Sequence, residues 1–68
     1  MTRLRINGVE EEVAAATVAE LLAARGIDPA ARFLAVAVNG AVVRRATWDD
    51  AALQAGDAVE IVRPLQGG

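Results

Sequence analysis

The chemistry that this chain can offer lies at its C-terminal end, where Gly67 and Gly68 close the sequence. Glycine has no Cβ, so a Gly-Gly tail is thin and reaches backbone angles that are closed to other residues. Such a tail can enter a narrow enzyme tunnel and present its last carboxylate for reaction. The alternative is a frayed terminus without a function.

The remaining side chains offer little other chemistry. The sequence has no cysteine and no histidine, which excludes disulfides, thiol nucleophiles and an imidazole base or metal ligand. The consecutive carboxylates Glu10, Glu11 and Glu12 would alternate between the two faces of a strand, so they are expected to form a solvated edge and not one site. We therefore expect a protein that is acted on by enzymes and is not itself an enzyme.

The chain length and the net charge exclude several further classes of protein. A chain of 68 residues makes one small domain. The net charge is −2 and the arginines are scattered, so no nucleic-acid partner is expected. The apolar run over residues 33–38 is too short to cross a bilayer, and residues 1–8 lack the core of a signal peptide. The sequence predicts a cytoplasmic protein without a membrane partner, monomeric when free.

The first half of the chain predicts a hairpin followed by a helix. Residues 2–7 alternate polar and apolar, Asn7-Gly8 is a strong two-residue turn signal, and residues 9–13 form the return strand. A capping box, in which Glu20 reaches back, places the helix start near Thr17. Arg25 is expected in the last helical turn and Gly26 just beyond it.

The second half predicts three more strands. Residues 33–38 are apolar on both faces, which indicates a central strand, and Asn39-Gly40 turns it into a fourth strand over 41–46. Residues 47–53 form a turn or a short helical turn anchored by Trp48 and Leu53. The tight turn at 55–57 leads to a fifth strand over 58–65, with Val59 and Ile61 facing inward.

The element order is strand, strand, helix, strand, strand, strand. This order predicts an α+β protein with the ubiquitin-like β-grasp fold (ββαβββ), a mixed sheet of about five strands packed on one helix. We expect the folded domain to cover residues 1–65 and a flexible diglycine tail to cover 66–68.

The sequence resembles the ThiS family of sulfur carriers over nearly its whole length. The resemblance is carried by the segments 17–22, 36–39, 42–45 and 59–62, by Trp48 and Leu53, and by Gly56-Asp57 and Gly67-Gly68. It implies the β-grasp fold and a reaction cycle of thiamin thiazole biosynthesis. In that cycle a ThiF-like adenylating enzyme uses ATP and magnesium to activate the Gly68 carboxylate, with Gly67 beside it. A sulfurtransferase or persulfide donor then leads to a thiocarboxylate, and a ThiG-like thiazole synthase takes the sulfur. The carrier binds no cofactor of its own.

The expected partner surface is the sheet face turned away from the helix. If Val36 and Val38 face the helix, then Ala35, Ala37 and Val62 face outward, with Phe33 beside them. These small apolar residues would form a flat patch next to the tail. The predicted partner-contacting residues are listed here: Phe33, Ala35, Ala37, Arg45, Val62, Leu65 and Gln66.

Two assignments stay open at this point. Arg44 and Arg45 either dock an acidic partner surface or form a solvated pair. Trp48 is either a core residue, which its large area favours, or a binding residue.

Three other functions remain as alternatives. A MoaD-type carrier for molybdopterin synthesis would use the same tail chemistry. A ubiquitin-like modifier would join its tail to lysines, and a plain interaction module would have an inert tail.

Overall fold

The computed structural model describes residues 1–63. Two strands, β1 (Thr2–Ile6) and β2 (Val9–Val13), precede the single helix α1 (Val18–Ala24). The strands β3 (Ala35–Val38) and β4 (Ala41–Val43), a short 3-10 helix (Arg45–Thr47) and β5 (Ala58–Val62) complete the fold. Leu65, Gln66, Gly67 and Gly68 lie outside the described residues.

The five strands form one mixed sheet in the order β2-β1-β5-β3-β4. β1 and β5 are parallel, whereas the other three neighbouring pairs are antiparallel. This confirms the ββαβββ β-grasp prediction. β3 has a neighbour on both sides, but the middle strand is β5, so the prediction that β3 would be central is wrong in that detail. The reason is that β5 returns to pair with β1, a contact between the two ends of the chain.

Both Asn-Gly turns form as predicted. Asn7 and Gly8 have φ of 51° and 86°, and Asn39 and Gly40 have φ of 53° and 82°. Two successive positive φ values give the turn whose twist matches antiparallel strands. Each turn therefore joins its strands through two residues and fixes their register.

The helix ends also follow the predicted signals. The Thr17 hydroxyl accepts a hydrogen bond from the Glu20 amide at 3.2 Å, and the Glu20 carboxylate accepts one from the Ala16 amide at 2.8 Å. Gly26 has a φ of 72° and stops the helix. Arg25 is the C-cap and not part of the last turn, since its amide still bonds to the carbonyls of α1 while the chain turns away.

The core lies between α1 and one face of the sheet. Trp48 is buried and its indole N–H donates to the Val43 carbonyl at 2.9 Å, which confirms its core role. None of the buried side chains among residues 1–63 is polar or charged apart from this indole N–H. The buried residues are listed here: Leu4, Ile6, Ala15, Val18, Leu21, Leu22, Ile27, Leu34, Val36, Trp48, Leu53 and Val59.

Three predicted strand boundaries were wrong. β3 begins at Ala35 and not at Phe33, because Phe33 has a left-handed φ of 63° that interrupts the extended chain. β4 ends at Val43 and not at residue 46, because the 3-10 helix at Arg45–Thr47 turns the chain to bring Trp48 into the core. β5 ends at Val62, and the predicted continuation over 64–65 lies outside the described residues.

The two asparagine side chains at the hairpin tips hold β5 in place. The Asn7 side-chain carbonyl accepts a hydrogen bond from the Ile61 amide, and that of Asn39 accepts one from the Ala58 amide, both at 2.9 Å. The Asn39 side-chain amide also donates to the Asp57 carboxylate at 3.0 Å. The turn residues thus extend the ladder at both ends of the strand that leads to the tail.

These contacts predict losses of stability of different size for two matched substitutions. Asn39→Asp removes the donor to Asp57 and places a second carboxylate about 3 Å from the first, which should lower the free energy of unfolding by about 1–3 kcal/mol. Asn7→Asp keeps the acceptor for Ile61 and should cost less than about 1 kcal/mol. Urea unfolding followed by Trp48 fluorescence measures both. Equal losses would contradict this account.

Candidate functional site

The sheet face turned away from α1 carries the exposed apolar residues of the predicted partner surface. Ala35 of β3 pairs with Val62 of β5 on one side. Ala37 of β3 pairs with Val42 of β4, the strand on the other side. Val62 is 60% exposed and Val42 is 76% exposed, whereas Ala37 is half-buried. We call these four residues, Ala35, Ala37, Val42 and Val62, the outer patch.

Val42 belongs to the outer patch although the sequence analysis did not include it. The Asn39-Gly40 turn pairs Val38 with Ala41, so the next outward position of β3, Ala37, must face Val42. This register follows from the two-residue turn itself, and it is the signal that would have identified Val42.

Phe33 lies outside the sheet, in the loop that precedes β3. It is 78% exposed, and the Arg32 guanidinium carbon lies 5.8 Å from the centre of its ring. A left-handed φ costs a non-glycine residue about 1–2 kcal/mol. Phe33 thus combines unfavourable backbone geometry with an exposed aromatic ring, and neither stabilises the folded chain by itself.

Arg45 binds the loop that carries Phe33. Its guanidinium donates to the carbonyls of Pro29, Ala31 and Leu34, the last two at 2.8 and 3.4 Å. It also stacks on the Trp48 ring, 4.9 Å from the ring centre. The structure therefore gives Arg45 an internal role in addition to the partner contact predicted from the sequence, which stays a prediction.

The three consecutive glutamates divide between the two faces of β2, as expected. Glu10 and Glu12 face outward and form ion pairs with Arg3 and Arg5. Glu11 faces the helix side, where its carboxylate lies 2.6 Å from the Arg25 guanidinium. They do not converge on one site.

A cleft of about 310 Å³ opens on the helix side of the sheet. Asn7, Glu11, Arg25 and Arg63 contribute its polar lining. None of the predicted partner-contacting residues within 1–63 lines it, so it is separate from the outer patch.

Of the predicted site residues, the structure brings Ala35, Ala37 and Val62 together on one face, with Phe33 in the preceding loop. Leu65, Gln66, Gly67 and Gly68 fall outside the described residues, and their predicted roles stay predictions. Within residues 1–63, no helix is long and apolar enough to span a membrane.

Comparison with known proteins agrees with this architecture. The model of the ThiS family matches residues 4–68. A crystal structure of the thiamine biosynthesis protein ThiS from Geobacter metallireducens superimposes with a TM-score of 0.78 at 34% identity, covering 98% of this chain and all of the other. A solution structure of a thiamine biosynthesis protein from the same organism gives 0.79 at 34% identity, covering 98% of this chain and 88% of the other. A search of the curated proteins found no match.

The matched range includes the outer patch and the diglycine. The chain therefore belongs to the ThiS family, the small sulfur carrier proteins of thiamin biosynthesis, which are not themselves catalysts.

Proposed function

We propose that this protein carries sulfur to thiazole synthase as a thiocarboxylate on Gly68. The observation that carries the proposal is the family match that runs through residue 68 and so includes Gly67-Gly68. A tail of two glycines has the least steric demand of any dipeptide, which suits entry of the terminal carboxylate into a partner's active site.

The proposed chemistry begins with activation, because a carboxylate oxygen is a poor leaving group. A ThiF-like adenylating enzyme joins the Gly68 carboxylate to the α-phosphate of ATP, and pyrophosphate leaves. That enzyme provides the magnesium and the cationic groups that stabilise charge on the phosphates. The sulfur of a persulfide, provided by a sulfurtransferase, then displaces AMP at the carbonyl. A thiol cleaves the S–S bond, which leaves the thiocarboxylate for a ThiG-like synthase.

The outer patch is the proposed docking surface for these enzymes. Apolar side chains exposed on one face mark interaction sites when they are contiguous. Val42 and Val62 flank Ala35 and Ala37, whose small side chains leave the surface flat. Val62, at the end of β5, precedes Gly68 by six residues, so at most about 20 Å of chain separates this face from the terminus on which a bound enzyme must act.

Phe33 and Arg45 have connected roles in this proposal. Phe33 adds an aromatic contact beside the outer patch, and the cost of its left-handed backbone is typical of functional positions. Arg45 positions the loop of Phe33 through its bonds to the Ala31 and Leu34 carbonyls. Leu65 and Gln66 are proposed to line the entrance of the partner's active site as the tail enters it.

Intact-protein mass spectrometry tests the function directly. The protein is incubated with ATP, magnesium, a ThiF-like enzyme and a persulfide donor, and the expected product has one oxygen of the terminus replaced by sulfur. High-mass adducts on lysines would instead support a ubiquitin-like modifier, and an unchanged mass would support a plain interaction module. Transfer of the sulfur to a molybdopterin synthase but not to a thiazole synthase would identify a MoaD-type carrier.

Ala37→Glu is expected to weaken binding to both the adenylating enzyme and the synthase by about tenfold or more. The outward-facing side chain would bring a bulky carboxylate into a surface that becomes dry on binding. Calorimetric titration measures the affinities. Ala23→Glu, on the exposed side of α1, is the matched control and should bind like the native protein. Unchanged affinity of Ala37→Glu would refute the assignment of the docking face.

A further inference from the structure

The outward face of the sheet has two halves that differ in how their charged side chains are paired. On the β2–β1 half, Arg3 lies 3.3 Å from the Glu10 carboxylate and 3.6 Å from that of Glu12. Arg5 lies 3.6 Å from Glu10. Two cations thus face two carboxylates, and this half of the sheet is neutral.

The other half carries one carboxylate that has no ion-pair partner. Glu60 is exposed on β5, directly opposite Ala37 of β3 and two residues before Val62. Among residues 1–63 it forms no ion pair, and Arg5 of the neighbouring strand β1 is directed to Glu10. Arg63 lines the cleft on the opposite face, and Arg44, which is exposed directly after β4, forms no ion pair with Glu60. Glu60 is therefore an unpaired carboxylate next to the outer patch.

A partner that covers the outer patch must also remove water from Glu60. Burying a carboxylate without a counter-charge is strongly unfavourable, whereas a well-placed cation offsets that cost and favours one orientation of the complex. An enzyme surface that is apolar throughout would bind weakly here, because it would bury Glu60 without a counter-charge. Glu60 can thus discriminate between partners in a way that the alanines and valines around it cannot.

From this arrangement we infer that Glu60 pairs with an arginine or lysine of the adenylating enzyme and selects that enzyme as a partner. The inference rests on the proposed function. The adenylating enzyme is the expected partner because it must bring the anionic terminus of the carrier next to the phosphates of ATP, which requires cationic groups on that enzyme. A positively charged surface serves both, and Glu60 extends the negative charge of the carrier toward it.

The test compares Glu60→Gln with Asp49→Asn. Both changes remove one negative charge without a large change in shape, and Asp49 is an exposed residue that forms no side-chain bond within the described part of the chain. Pyrophosphate release by a ThiF-like enzyme is measured against carrier concentration at low and high ionic strength. Urea unfolding of each variant verifies that the fold is retained.

We expect Glu60→Gln to raise KM for the carrier about tenfold with little change in kcat. The KM of the native carrier should rise with ionic strength, because salt screens the ion pair. The KM of Glu60→Gln should rise much less. Asp49→Asn should show the same KM and the same salt dependence as the native protein. Glu60→Arg should raise KM further, because like charges then face each other. An unchanged KM for Glu60→Gln, or an equal rise for Asp49→Asn, would overturn the inference while leaving the proposed function intact. Absence of pyrophosphate release with the native carrier would overturn both.

Discussion

Removal of Gly67 and Gly68 is expected to abolish thiocarboxylate formation and the restoration of thiamin synthesis in cells that lack their own carrier. The truncated chain would end at Gln66, whose Cβ and long side chain sit where the proposed mechanism needs an unhindered terminus. Intact-protein mass spectrometry and growth without thiamin measure the two effects.

Loss of activity must be separated from loss of the fold. Glycine has no side chain that could add to the core, so the truncated chain should unfold at the same urea concentration as the native chain. A second variant with one alanine added after Gly68 keeps both glycines and moves the carboxylate to a residue with a Cβ. It should also fail to gain sulfur. Normal growth with the truncated chain would show that the reacting carbon is not at the chain end.

Local signals predicted the turns and the helix ends correctly. Asn7-Gly8 and Asn39-Gly40 form two-residue turns because both residues tolerate positive φ, which is a property of the dipeptide and needs no tertiary contact. Thr17 caps the helix for an equally local reason, a hydroxyl within reach of the Glu20 amide. Such features are accessible from sequence because their partners lie within a few residues.

The strand boundaries failed where distant contacts decide the backbone. Residues 33–38 have the composition of one strand, but Arg45 binds the carbonyls of Ala31 and Leu34 and holds the loop before β3 in a folded form. Residues 41–46 likewise extend the apolar pattern of β4. The burial of Trp48 bends them into a 3-10 helix after Val43. In both places a tertiary contact overrides the local preference of the chain.

The outer patch could be predicted in part, because alternation alone places Ala35 and Ala37 outward once Val36 faces the core. The positions of Val42 and Glu60 on either side of Ala37 depend on the register of three strands. The pairing of β5 with β1 joins segments about fifty residues apart, and no short-range pattern encodes it. The composition of the surface was therefore predictable, but its charge layout was not.

Substitution of Trp48 by alanine is expected to have the largest effect on stability of any single change. The indole is buried, donates to the Val43 carbonyl at 2.9 Å and stacks beneath the Arg45 guanidinium. Truncation of a buried aromatic residue costs about 3–5 kcal/mol. A domain of this size has a total stability of roughly 3–10 kcal/mol, so a large part of the Trp48→Ala protein should be unfolded at 37 °C.

Trp48→Phe separates the packing from the hydrogen bond. Phenylalanine keeps an aromatic ring in the core and beneath Arg45 but leaves the Val43 carbonyl without its donor, so the loss should be about 1–3 kcal/mol, smaller than for alanine. Circular dichroism during urea unfolding must follow both variants, because Trp48 is the only tryptophan and its fluorescence is lost with it. If Trp48→Ala were as stable as the native protein, the bend after β4 would not be held by this side chain. In Trp48→Ala the loop of Phe33 should loosen in parallel, since Arg45 there loses the ring on which it rests.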